Sequence, residues 1–244
     1  MNLSDRRTCG GAPRRLSATE MVLRDLRSAI ERGDLAVGEK LPSESELTRF
    51  YGCSRSVVRE ALRALQALGL TAPRRGRGTF VTSSMTVRNP IFGAYSARDL
   101  LEMRRHVEIP VAGYAAVRRT PEDVDHLERL LSRMERETDT TAWVAMDTLF
   151  HIGITQMAVN PVFRRVIEEI SDALAKQSTF LTWFGDRRAQ SNREHKAIVE
   201  AIVDGSEGAA VQAMACHLEN VEMHLTTIVQ HSRTNQQPKD GWNA

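Results

Sequence analysis

Two groups of residues in this 244-residue chain have types and spacing that could do chemistry. The first begins in DTLFH, where Asp147 and His151 stand four apart, and continues with His195 in NREHKAIVEAI and His217 in AMACHLENV. Residues four apart share a helix face, so Asp147 and His151 can turn toward one ion. Three imidazoles and a carboxylate suit Zn2+, Ni2+ or another borderline divalent ion. The same spacing is also met by four unrelated buried or surface residues, and residue types alone leave both readings open. The second group is basic. Arg55, Arg59 and Arg63 recur every fourth residue, roughly 6 Å apart along one side of a helix. Ser54 and Ser56 lie beside the first of them, and Arg75 and Arg77 flank Gly76 a little further on. Arginine makes bidentate contacts with guanine edges and charge-assisted bonds with phosphate. This group therefore fits a recognition helix and a wing on double-stranded DNA, the plain alternative being a solvated basic surface.

The elements needed to hold these groups can be read from the pattern. From Ser17 to Arg32, Met21, Val22, Leu26, Ala29 and Ile30 fall at helical spacing and Gly33 ends the run. Ser43 and Glu46 form a capping box for a second helix, with Leu47 and Phe50 as its apolar anchors and Gly52 as its stop. The third helix runs from Ser54 to about Leu68, with Val57, Val58, Ala61, Leu62 and Leu65 facing inward. PRRGRGTFV then gives two short extended pieces. From Ala97 onward almost everything reads helical, with breaks near Thr120–Pro121, Thr138–Thr141, Asn160–Pro161, Gly185–Asp186 and Asp204–Gly208. The expected fold is mostly α, an N-terminal winged helix-turn-helix followed by an all-α bundle of six or seven helices. The expected divisions are a disordered tail over 1–16, the DNA-binding domain over 17–83, a linker over 84–96, the helical domain over 97–231 and a second disordered tail over 232–244.

Composition narrows the classes. Residues 1–90 carry 16 Lys/Arg against 9 Asp/Glu, while the other 154 carry 17 against 22. A basic first part joined to an acidic remainder points to a polyanion partner for the first part alone. No apolar run is long enough to span a bilayer, and the first residues lack the apolar core of a signal peptide. Cys9, Cys53 and Cys216 are odd in number and far apart, which points to a reducing compartment rather than a disulfide framework. A cytoplasmic protein without membrane partners is expected.

The run G-x-L-x-x-G-x-x-LPSE-x-EL, then SRSVVREALRALQALGL and RRGRGTFV, closely resembles the GntR family of bacterial transcription regulators over residues 17 to 82. The resemblance implies operator contacts from Ser54, Arg55, Arg59, Arg75 and Gly76. Ser45 departs from it, since several relatives have a DNA-contacting arginine there. LLEMRRHVEIPVAGYAA, D-x-x-x-H, EH-x-x-I-x-x-AI and A-x-x-x-M-x-x-HL, in this order, resemble the FCD effector domain of the FadR subfamily from about Ala97 to His231. That resemblance implies that Asp147, His151, His195 and His217 are metal ligands. It also implies that Arg104 holds the carboxylate of a small organic acid beside the metal. The alternative for Arg104 is an i,i+4 surface ion pair with Glu108, worth little.

The function expected is a ligand-responsive regulator, a repressor binding a palindromic operator as a homodimer. The rival is a metal-dependent enzyme with an accessory nucleic-acid-binding domain. Against it, no general base stands out in a motif such as H-E-x-x-H. His224 and His231 follow His217 at seven-residue steps, about 10 Å along a helix and too far to share its ion. His106 and His126 read as surface residues and Cys216 as packing. Trp143, Phe180, Trp183 and Phe184 are candidates for a pocket wall, with core packing as their default.

Overall fold

The computed structural model describes residues 17–85, 89–184 and 187–234. The expected tail 1–16, and all of the second tail except residues 232–234, lie outside them. Helices α1 (Ala18–Arg32), α2 (Glu44–Tyr51) and α3 (Arg55–Ala67) are followed by an antiparallel pair, β1 (Thr71–Arg74) and β2 (Gly78–Val81). Lys40 bridges to Phe80 and extends this sheet on its other side. Helices α1 and α2 both begin with complete capping boxes, Ser17 with Glu20 and Ser43 with Glu46. Ser54 caps α3 by accepting a hydrogen bond from the Val57 amide. Two glycines set the tight turns. Gly52 (φ 62°) closes α2 before α3 begins, and Gly76 (φ 69°) turns the wing, both in a region that a Cβ disfavours.

Helix α3 buries Val58, Ala61, Leu62, Ala64 and Leu65 against α1 and leaves Arg55, Arg59 and Arg63 exposed. The inward stripe is the one expected, except that Val57 is only partly buried. One expected anchor is corrected. Phe50 is 81 % exposed while Tyr51 is half-buried against the core. Leu47 and Tyr51 are a full turn apart, and it is their side of α2 that meets the core. Leu65 is fully buried, so Leu65→Ala should destabilise the folded protein by about 2–5 kcal/mol, readable as a lower urea midpoint with an unchanged m-value.

A short hairpin, β3 (Ile91–Phe92) and β4 (Tyr95–Ser96), lies where a plain linker was expected. Its turn is Gly93–Ala94, with Gly93 at φ 68°, and Phe92 packs edge-on against Phe180. Six helices follow: α4 (Ala97–Arg118), α5 (Pro121–Arg136), α6 (Thr140–Met157), α7 (Pro161–Phe184), α8 (Arg187–Val203) and α9 (Glu207–Thr234). Residues 232–234, expected in the tail, complete the last of them. Helix α4 packs against α6, α7, α8 and α9 and is the bundle's central member.

The buried apolar side chains fall into two clusters. One joins the core of α1–α3 to Phe92, Leu100 and Leu101, to Ile167, Leu174 and Phe180 of α7, and to Val221 and Leu225 of α9. The other fills the far end of the bundle around Val111, Leu127, Phe150, Ile198 and Met214. Between them on α4 stand Arg104 and Glu108, both buried. A polar layer thus crosses the bundle and separates its two apolar ends.

Candidate metal centre

Five helices supply this layer. Asp147 and His151 come from α6, His195 from α8 and His217 from α9, with Arg104 and Glu108 on α4 and Gln177 on α7. The ligand atoms of His151, His195 and His217 lie within 4.8 Å of one another. Their ring centroids are 5.6, 5.3 and 4.9 Å apart for the pairs 151–195, 151–217 and 195–217. Asp147 Oδ1 lies 3.4 Å from His195 Nε2. The structure therefore groups the three expected histidines, while Asp147 stands against His195 alone and not within that mutual cluster.

Each imidazole is prepared differently. His217 Nδ1 donates to Glu194 Oε2 at 2.8 Å. A carboxylate only accepts, so that bond fixes the tautomer and leaves the Nε2 lone pair free, the carboxylate–histidine arrangement that orients metal ligands. Glu194 is itself held by Arg187, with contacts of 2.9 and 2.6 Å, and by Asn220 at 2.9 Å. His151 Nε2 faces Arg104 Nη2 at 3.2 Å and its Nδ1 lies 2.7 Å from Glu108 Oε2. Guanidinium has no lone pair to offer, so Nε2 is the acceptor in that contact. His195 is fully buried, and neither of its ring nitrogens has a hydrogen-bond partner. Its ring is walled by Phe150 at 4.3 Å and by Trp143, which stacks at 6.4 Å and is anchored by its Nε1 donating to Asn192. An imidazole buried with no hydrogen bond loses solvation on both nitrogens; Asp147 Oδ1, 3.4 Å from Nε2, does not supply one, and an ion held by both groups would.

Electrostatics favour lone pairs. Burial, aided by the neighbouring charged groups, pushes the pKa of His195 and of His217 well below the usual histidine range, so both are neutral at neutral pH. Burial alone would raise the Glu108 carboxyl, but the Arg104 guanidinium and His151 outweigh it and hold it far below the usual carboxylate range. Neutral imidazoles and ionised carboxylates are the states a divalent cation requires, and the donor set fits such an ion. Glu194→Ala should lower metal affinity about 10–100-fold, because His217 loses the partner that orients it; competition against a chelating dye measures this.

Arg104 pairs with Glu108 at 2.6 and 3.2 Å. The pair is the one foreseen, but it is buried, not on the surface, and it touches His151, one of the candidate ligands. Of the aromatic candidates, Trp143 stands against the site, whereas Phe180 and Trp183 line a cleft between α7 and α3. The side chain of Phe184 and that of His231 lie outside the described residues. Cys216 is exposed, not packed; it and His217 are neighbours on α9, and only His217 turns inward. His106 and His126 are exposed.

In the basic group, Arg55, Ser56 and Arg59 are exposed on the first turns of α3, and Arg75, Gly76 and Arg77 are exposed on the wing. The Ser54 hydroxyl serves the cap and also contacts Ser56 Oγ at 2.7 Å. Arg59 Nε is engaged by Glu44 at 2.8 Å. Arg74, not singled out from the sequence, lies over the Phe80 ring at 4.3 Å and braces the wing.

The model for bacterial regulatory proteins of the gntR family matches residues 18–81, and that for the FCD domain matches residues 99–220. The chain is 32% identical over 206 residues to the HTH-type transcriptional regulator LutR of Bacillus subtilis (strain 168), covering 79% of this chain and 94% of that protein. It is 31% identical over 227 residues to the galactonate operon transcriptional repressor of Escherichia coli (strain K12), covering 87% and 99%. With the HTH-type transcriptional repressor NanR of Citrobacter rodentium (strain ICC168) it shares 30% over 234 residues, 90% and 89% of the two chains.

Proposed function

The chain belongs to the GntR family of bacterial regulatory proteins and carries an FCD domain, and from that premise we propose a metal-dependent repressor released or tightened by a small carboxylate. Membership makes it a DNA-binding transcription regulator rather than an enzyme, and the reading as a metal-dependent catalyst is set aside. The observation that carries the rest is the cluster of three buried histidines, among which the His195 ring has no hydrogen bond on either nitrogen.

A divalent ion held by Asp147, His151, His195 and His217 would supply an electrophilic centre for ligand oxygens. The His151 lone pair that accepts from Arg104 is the one such an ion would take. With that lone pair taken, an Arg104 N–H would be left for a carboxylate, which would share the guanidinium with Glu108. Arg55, Ser56 and Arg59 would read base edges, with Ser54 placing the helix terminus and Arg75, Gly76 and Arg77 engaging the neighbouring groove or phosphates. A two-fold homodimer would match a palindromic operator. For the acid to act, it must bind one dimer geometry better than the other. Two relatives are named as repressors, one of them of a galactonate operon, which supports repression and a sugar-acid-like effector class.

Selection of duplexes from a random pool, followed by titration of the winner at fixed salt with and without chelator, tests this reading. Enrichment of one palindrome whose affinity shifts on chelation is the expected result. Affinity indifferent to both metal and small acids would overturn it.

A further inference from the structure

We propose that Lys40, laid across Gly78 toward the tip of the wing, forms with Arg74 a seat for a DNA backbone phosphate that holds every duplex alike. The proposal rests on the reading of α3 and the wing as the DNA-facing surface, and adds to that surface a contact blind to sequence.

The first observation is the path of the lysine. Residues 38–41 are tied to β2 by backbone hydrogen bonds. The Gly38 amide donates to the Val81 carbonyl at 2.9 Å, the Leu41 amide to Thr79 at 2.8 Å, and the Val81 amide to Glu39 at 2.9 Å. Lys40 stands opposite Phe80 in this ladder. Side chains opposite one another, or two residues further along, share a face of the sheet. Gly78 is two residues along, and the Lys40 stem crosses it. A Cβ on Gly78 would lie 2.8 Å from Lys40 Cε and 3.7 Å from Nζ. The glycine thus leaves a slot for the stem, which carries the ammonium from Phe80 toward the turn at Arg75, Gly76 and Arg77. Laying the stem along the sheet fixes its rotamers before any ligand arrives, so the ordering cost of a long side chain is already met.

The second observation is charge. Arg74 stands opposite Gly78 on the other neighbouring strand, and its guanidinium lies over the Phe80 ring at 4.3 Å. Gly78 therefore has a cation on each side, and neither forms an ion pair among the described residues. Two such cations repel one another. An anion placed between them reverses the sign of that interaction, and phosphate is the anion that duplex DNA offers. Lys40 is also a minor influence lowering the exposed Glu46 carboxyl, after that group's bonds with Ser43. The ammonium thus stands where the wing meets the head of α2. The residue type agrees. Lys40 is the only lysine among residues 1–90, whose other cations are all arginines. Lysine presents a compact point charge without arginine's planar fork, a form suited to a phosphate contact that carries no sequence information.

Lys40→Met keeps the stem and removes the charge. Binding of the full-length protein is titrated across a salt series, with the duplex selected from the random pool and with an unrelated duplex of equal length. The variant should weaken both by the same factor, roughly five- to ten-fold per winged domain at 0.1 M salt. The slope of log K on log salt should become shallower by about 0.9 per domain. Lys40→Arg should restore the slope, and Lys176→Met, which loses the same charge from α7, should leave it unchanged. A second measurement uses the unmutated protein and decides the matter even where the variant fails to fold. Acetylation of Lys40 by acetic anhydride, read by mass spectrometry, should slow several-fold when duplex is bound, while that of Lys196 keeps its rate. An unchanged slope in Lys40→Met, a loss confined to the selected duplex, or acetylation of Lys40 undiminished by DNA overturns the proposal. If Arg55→Ala then still loses the selected duplex, the DNA face stands without this seat. If Arg55→Ala binds as before, the reading of the face falls with it.

Discussion

His195→Ala should abolish the thermal stabilisation that a divalent metal confers on this protein while leaving its DNA-binding half folded. His195 is the fully buried member of the candidate site whose ring nitrogens make no hydrogen bond, its one charged neighbour at Nε2 being Asp147 at 3.4 Å, so its imidazole has no hydrogen bond to lose. In the metal-free state the substitution exchanges an unsolvated polar ring for a cavity beside Phe150 and Trp143; these effects oppose one another. In the presence of metal there is no such compensation. An ion at a thousand times its dissociation constant stabilises a folded protein by about 4 kcal/mol. For a chain of this length that corresponds to roughly 8–16 °C in Tm. The unmutated protein should show a rise of that order on adding Zn2+ or Ni2+, and the variant almost none. A full rise in the variant would remove His195 from the site.

The second large effect belongs to Arg55→Ala. Arg55 is exposed on the first turn of α3 and has no carboxylate partner among the described residues, so its guanidinium is free to meet a base edge. A bidentate arginine–guanine contact discriminates by about 1–3 kcal/mol, so specific operator affinity should fall roughly 5–150-fold at constant salt. Arg59→Ala should fall by less, because Arg59 must first leave Glu44, an exposed pair worth about 0.2–1 kcal/mol. Arg63 is paired with Glu60 two turns into the helix and serves as the control. Equal losses at all three positions, with a shallower salt dependence, would mean phosphate contact alone.

The helices were legible because their signals are local. Capping boxes at Ser17 and Ser43, stops at Gly33 and Gly52, and the breaks between the bundle helices all act within a few residues. The four metal-binding candidates were legible for a similar reason, since Asp147 and His151 share one turn and the later histidines stand inside helical runs. What surrounds them was not. Glu194 adjoins His195 in sequence yet serves His217 from the next helix, because consecutive helix positions point about 100° apart. Arg187 and Gln177 are ordinary polar residues until the fold buries them. The Arg104–Glu108 spacing is that of countless surface pairs, and only the central position of α4 makes it an interior one. The β3–β4 hairpin did leave a local mark, Gly93 at the first position of a two-residue turn, but strands of two residues offer no alternation to detect. Phe50 misled for a simple reason: on an eight-residue helix, helical spacing from Leu47 fits either Phe50 or Tyr51.

The apolar cluster that runs from α1 through Phe92 into α7 and α9 bears on how the chain comes apart. Its seam of least cohesion is the polar layer inside the bundle, not the stretch between the two halves named by sequence. Cutting the chain near residue 84 would strip Phe92, Leu100 and Phe180 from side chains they share with the reading head, leaving greasy faces on both fragments. The reading head is thus no detachable tool. In hydrogen exchange, α1–α3 and the near end of the bundle should open together, and the far end of the bundle separately.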